Sequence, residues 1–185
     1  MSFVRLAFIA IILFTSTEVF AGMFGLFNKS DFLLSAPVQG ILLDNGKPVA
    51  KQKVIRSLTY GKEYIDETIT DENGRFRFDE KLIRTAKPAN MFDNDSLIQH
   101  IYLENGTPEG IVLWYTSISI HENSNTLKGL LGDLVCDLSN SPQTVDIQIE
   151  EAPEHTFAIY GMCEPSKAKL YSLSNSTAPL CSSPK

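Results

Sequence analysis

Thr70-Asp71-Glu72-Asn73-Gly74-Arg75-Phe76-Arg77-Phe78-Asp79 is the stretch that decides the fold class. Asp71 to Gly74 carries the residue types that reverse a chain, with Gly74 free to take a positive φ. Arg75 to Asp79 then alternates with period two, the spacing that sends successive side chains to opposite faces of a strand. A turn feeding a strand is expected here, with Phe76 and Phe78 inward and Arg75 and Arg77 outward.

The same pattern recurs on both sides. Val38 to Leu43 is apolar and ends in the turn Asp44-Asn45-Gly46-Lys47. Lys53 to Tyr60 is β-branched and aromatic, Gly61-Lys62 reverses it, and Tyr64 to Thr70 alternates with Ile65 and Ile69 on one face. Residues 80–96 are less regular. Leu97 to Leu103 and Ile111 to Ile120 flank the turn Asn105-Gly106-Thr107-Pro108, and Leu134 to Leu138 follows. Val145 to Glu150 alternates so as to bury Val145, Ile147 and Ile149, and His155 to Met162 closes the ordered part. Short strands at this spacing, with no amphipathic helix longer than a turn or two, predict an all-β fold, an antiparallel β-sandwich in one domain over residues 37–163.

The chain of 185 residues carries 16 basic and 22 acidic side chains, a net charge of −6, and is 43% hydrophobic. That length supports a real core. The acidity, with no basic stripe interleaved with aromatics, argues against nucleic acid as a partner. Arg5, the apolar run Leu6 to Phe14, and Val19-Phe20-Ala21 follow the order of a Sec-type signal peptide over residues 1–21, cleaved after Ala21. The apolar run is too short to span a bilayer. A periplasmic or secreted protein is therefore expected, with an apolar arm at 22–36 and a disordered Ser/Pro-rich tail at 164–185.

Export changes the meaning of the cysteines. In an oxidising compartment Cys136 and Cys163, each in a strand-like apolar stretch, are candidates for a disulfide, with Cys181 the odd one out in the tail. Two separate buried thiols are the alternative.

The hairpins resemble a known pattern. Gly40 to Ala50, containing Asp44, Gly46 and Pro48, followed by Thr70 to Phe78, is similar to the opening half of carboxypeptidase-regulatory-like and transthyretin-like sandwiches. Over about residues 23–165 the chain also resembles an uncharacterised proteobacterial family of small exported proteins, a domain of unknown function. The residues carrying that likeness are Met23 to Phe27, Gly46 to Ala50, Arg56 to Gly61, Tyr64 to Thr68, Leu113-Trp114-Tyr115 and Cys136-Asp137-Leu138. The resemblance implies a sandwich and an envelope location, and brings no catalytic residues with it.

Transthyretin-like hydroxyisourate hydrolases need a histidine before the first Leu-Asp and a C-terminal Tyr-Arg-Gly-Ser; here Gln39-Gly40 precedes Leu43-Asp44, and the tetrapeptide is missing. His100, His121 and His155 are far apart and lack metal spacing. Asp71, Asn73 and Gly74 begin like a calcium loop without its remaining ligands. Neither a nucleophile elbow nor a phosphate loop is found. The expectation is a non-enzyme with no catalytic residues, no metal and no cofactor. Its candidate partner-binding positions are the acids on turns and strand ends, Asp66, Glu67, Asp71, Glu72, Asp93 and Asp95, together with Trp114, which serves either as a core residue or as an exposed anchor. The concrete reading is a periplasmic immunity protein occluding a basic secreted toxin. The rivals are an envelope accessory module binding glycan or an outer-membrane complex, and an enzyme of unfamiliar type.

Overall fold

Alternating sequence becomes strand almost throughout. In this computed structural model residues 29–85, 96–107, 110–119 and 125–165 are described. Their elements are β1 (Ser30–Ser35), β2 (Val38–Asp44), β3 (Lys47–Pro48), β4 (Lys53–Tyr60), β5 (Lys62–Ile69), β6 (Arg75–Phe78), β7 (Lys81–Thr85), β8 (Ser96–Leu103), β9 (Ile111–Ser119), helix α1 (Asn125–Leu131), β10 (Leu134–Asp137), β11 (Gln143–Ile149), β12 (Ala152–Gly161) and β13 (Cys163–Pro165). The expected signal peptide, Asp93, Asp95, His121 and Cys181 lie outside the described residues.

The chain divides into two compact units. The smaller comprises residues 1–33 and 82–93; its described part, residues 29–33 and 82–85, is most of the two-stranded sheet of β1 and β7, whose Leu34, Ser35 and Lys81 fall in the larger unit, and it carries an exposed Arg84–Asp31 pair at 3.6 Å. The larger, residues 34–81 and 94–185, holds two sheets. One has six strands in the order β11-β12-β9-β8-β4-β5, all antiparallel. The other runs β13-β10-β2-β3, with β6 also paired to β2. Within it β10 is parallel to β2, and the remaining pairs are antiparallel. This is an all-β sandwich. Its core interleaves Val54, Leu58, Leu97, Ile101, Ile118, Phe157 and Ile159 of the six-stranded sheet with Val38, Leu42, Phe76, Phe78 and Leu134 of the other. Leu127, Leu130 and Leu131 of α1 are also buried.

The deciding stretch behaves as its period dictates: Phe76 and Phe78 are buried while Arg75 and Arg77 are exposed. Gly74 takes φ +74°, and a Cβ there would lie 2.4 Å from the Leu42 carbonyl oxygen, so the turn needs glycine. Ile65 and Ile69 do share a face, and it is the outward one, because Tyr64, Asp66 and Thr68 take the inward positions of β5. Val145 is only half-buried, at the start of its strand. The expected N-terminal arm contains β1, with Leu34, Ser35 and Ala36 buried, and β13 extends the ordered chain past 163. Cys136 and Cys163 stand directly opposite in the β10–β13 pairing and form a disulfide. Among the described residues no helix is long and apolar enough to cross a membrane.

Candidate functional site

Directly opposed residues of an antiparallel ladder share a face, so register defines what a sheet presents. Across the six-stranded sheet Ile65 pairs with Ser57, Ser57 with His100, His100 with Tyr115, Tyr115 with Tyr160, and Tyr160 with Thr144. This row crosses every strand on the outward side. Ile65 (59% exposed), Ile69 (64%), Tyr115 (38%) and Tyr160 (42%) all belong to that face, and the one other large hydrophobic so exposed among the described residues is Leu82, in the smaller unit. Scattered apolar residues are ordinary on a surface; clustering on one face is not.

The centre of the face is packed. The His100 ring stacks on Tyr102 at 4.5 Å, and Tyr115 meets it edge-on at 5.9 Å. Burial lowers the His100 pKa, against a smaller upward pull from Glu63, so the imidazole is neutral at neutral pH. Its Nε2 is sealed from solvent and makes no hydrogen bond. Ser57 donates its hydroxyl to Glu63 at 2.6 Å. With no hydrogen bond at His100 Nε2 and the Ser57 proton committed to Glu63, no serine–histidine relay is assembled. Charge borders this centre: Glu63 is held by Ser57, and Lys53 stands between Glu67 at 3.5 Å and Glu104 at 3.4 Å. An aromatic centre with charged and polar margins is the composition of a docking surface.

The acids expected to bind a partner do not form one patch. Asp66 corrects the expectation most sharply. The parity of β5 turns it inward, where it accepts hydrogen bonds from Arg56 Nη2 and, at 3.0 Å, from Lys81 Nζ. Arg56 is 2% exposed; its Nη1 donates to the Asp79 carbonyl at 2.9 Å and to Ser35 Oγ at 3.4 Å, its guanidinium lies 4.8 Å from the Phe78 ring centre, and its Nε has no partner. Burial pushes the Asp66 carboxyl up, and the hydrogen bonds from Arg56 and Lys81 outweigh it and hold the carboxyl below the ordinary range. Asp71 is taken up by its own turn, accepting the Asn73 and Arg75 backbone N–H groups, both at 2.8 Å. Glu72 pairs with Lys51 at 3.4 Å in full solvent. Of these expected acids, among the described residues, only Glu67 reaches the outward face of the sheet. Trp114, weighed as an exposed anchor, is 1% exposed on the inward side of β9, opposite Ile101, so it serves the core.

Asp137 was missed as a working residue. Its carboxylate accepts from the Ser139 hydroxyl at 2.6 Å, the Ser139 N–H at 2.9 Å, the Gly46 N–H at 2.8 Å and the Asn45 N–H at 3.0 Å, which together hold its pKa down to about 2. Asn45 and Gly46 both have positive φ, which makes their N–H groups converge on the carboxylate. The sequence signal was Asp-x-Ser after a strand, an Asx-turn pattern; its long-range target was not legible. Among the described residues no three His, Cys, Asp or Glu side chains converge as metal ligands.

The chain belongs to a family described as a domain of unknown function, DUF6795, matched over residues 38–141. The matched span includes Arg56, Asp66, His100, Trp114, Tyr115 and Asp137, while Tyr160 and Cys163 lie beyond it. No curated protein matches the chain.

Proposed function

We propose that this chain is a non-catalytic binding protein of the bacterial envelope that docks a protein partner on the outer face of its six-stranded sheet. The observation that carries the reading is the concentration of Ile65, Ile69, Tyr115 and Tyr160 on that one face of the larger unit. Tyrosine supplies large contact area at low entropy cost, and hydroxyl side chains such as Ser117 and Thr156 on the same face add adaptable hydrogen bonding. The rings at the centre pack against one another, which favours a shaped protein surface over a row of rings lying flat under a sugar chain. The signal-like N-terminus supports export. The β2–β3 hairpin, followed by the tight turn that carries the chain from β5 into β6 of the other sheet, supports a carboxypeptidase-regulatory-like or transthyretin-like arrangement.

The narrower reading, an immunity protein that occludes a secreted toxin, keeps export and a disulfide-held scaffold in its favour. Its docking surface moves from the acids to the aromatic face. The test is photo-crosslinking in the source cells, with a photoreactive amino acid placed at Ser117 on the outer face or at Arg77 on the other sheet. A discrete protein adduct from Ser117 alone is expected. Adducts from neither position, or equal adducts from both, overturn the reading.

A further inference from the structure

A second site lies at the end of the same sheet. Gly161 has φ +155°, and a Cβ there would come within 2.2 Å of the Leu113 carbonyl oxygen. The close approach ends β12, and Met162 N–H then donates to the Leu113 carbonyl at 3.1 Å. Beside this crossing is a cavity of about 210 Å³. Its wall is apolar where Trp114, Ile159 and Met162 contribute; Asn140 and Gln143 add amides that both donate and accept, and Glu164 adds a carboxylate that accepts. None of the described residues lining it is a cation. Trp114 is fully buried, and its Nε1–H has no hydrogen-bond partner. A buried indole N–H left unpaired is uncommon and costly, and this one belongs to a residue of the cavity wall.

These features select among ligands. Without a cation, and with Glu164 present, an anion is disfavoured; a purely apolar molecule would leave the amide groups unanswered. The volume accommodates one small ring. We propose that this cavity is a binding site for a neutral polyhydroxylated ring, a single sugar residue with an acceptor for the Trp114 N–H and hydroxyls for Asn140, Gln143 and Glu164. The inference goes beyond the docking face and does not depend on it.

Trp114 is the only tryptophan in the chain, so its emission reports on the site directly. The probe is N-acetylglucosamine, titrated into the full disulfide-bonded chain, with glucuronate as the anionic counterpart. A saturable change in Trp114 emission is expected, with a dissociation constant on the order of 1 mM for so small a ligand. Glucuronate should give at least a tenfold weaker response. Asn140→Ala and Gln143→Ala, both at exposed positions, should each weaken N-acetylglucosamine by about threefold to tenfold with an unchanged melting temperature. Saturation-transfer NMR on the same samples guards against a silent fluorophore. No saturable binding by either readout, equal binding of glucuronate, or variants that bind like the parent would each overturn the assignment. None of these results bears on crosslinking from Ser117.

Discussion

Removing the Asp66 carboxylate should damage this fold far more than its place in an ordinary acidic run suggests. Asp66→Ala leaves Arg56, which is 2% exposed, with the Asp79 carbonyl, a long contact to Ser35 Oγ and the face of Phe78. Breaking a buried ion pair on one side costs about 3–5 kcal/mol, because a charge is left without its counter-ion. The Asp66 side chain is 24% exposed, so water can enter part of the gap, and about 2–4 kcal/mol is the reasoned expectation. At a urea slope of about 2 kcal/mol/M, the unfolding midpoint drops by about 1–2 M. Glu67→Ala, one residue along on the solvent face, should change stability by less than about 0.5 kcal/mol. Replacing both partners, Arg56→Met with Asp66→Leu, should recover much of the loss, since apolar substitutes carry no desolvation cost. The pair also shapes the acid limb. The Asp66 pKa is lowered from 3.8 in the fold, so its stabilisation is present above that value and is lost as pH falls below it. Asp66→Ala removes that part of the slope. Equal losses for Asp66→Ala and Glu67→Ala in urea melts would refute the inward assignment and the buried Arg56 pair with it.

Three further outcomes follow from the same geometry. Because burial lowers the His100 pKa from 6.5, the unfolded chain takes up a proton that the fold resists; stability should fall as pH drops below about 6.5, and His100→Gln should flatten that slope in urea melts at stepped pH. Phe78→Ala should cost about 3–5 kcal/mol and Arg77→Ala less than about 0.5 kcal/mol, and similar melts for the two would contradict the period-two assignment of β6. Reducing the Cys136–Cys163 bond, which closes a 27-residue separation, should lower stability by about 3–4 kcal/mol on the chain-entropy account, and a reduced protein with the same midpoint would show that β10 and β13 hold without it.

The sheets were legible where period two met turn chemistry. Arg75 to Phe78 and Val145 to Ile149 needed only alternation to be placed, and Leu97 to Leu103 an apolar stretch beside a reversal. Elements with too few residues to show a period exist only through their partners: Lys47–Pro48 closes the tight hairpin back to β2, and Cys163–Pro165 depends on β10, distant in the chain. The same limit explains the site. Tyr115 and Tyr160 are 45 residues apart and become neighbours through register alone. Asp66 and Glu67 look alike in a run of acids, and strand parity sends one to a buried arginine and the other to solvent. Trp114 and Tyr115 divide in the same way, one inward and one outward, so Trp114 takes the core role of the two open to it and its neighbour holds the surface.

The central claim is that the aromatic face itself holds a protein partner. Its most direct measurement is the yield of the crosslinked adduct from Ser117 in source cells carrying Tyr115→Ala and Tyr160→Ala together. Truncating two centrally placed tyrosines should reduce that yield at least tenfold, since about 2 kcal/mol or more of binding resides in such anchors. Both rings are more than half buried, so the purified double variant should melt at a lower temperature than the parent, yet still in one cooperative transition above the temperature of the assay. An adduct of undiminished yield from a folded double variant would contradict the claim and place the partner elsewhere on the chain.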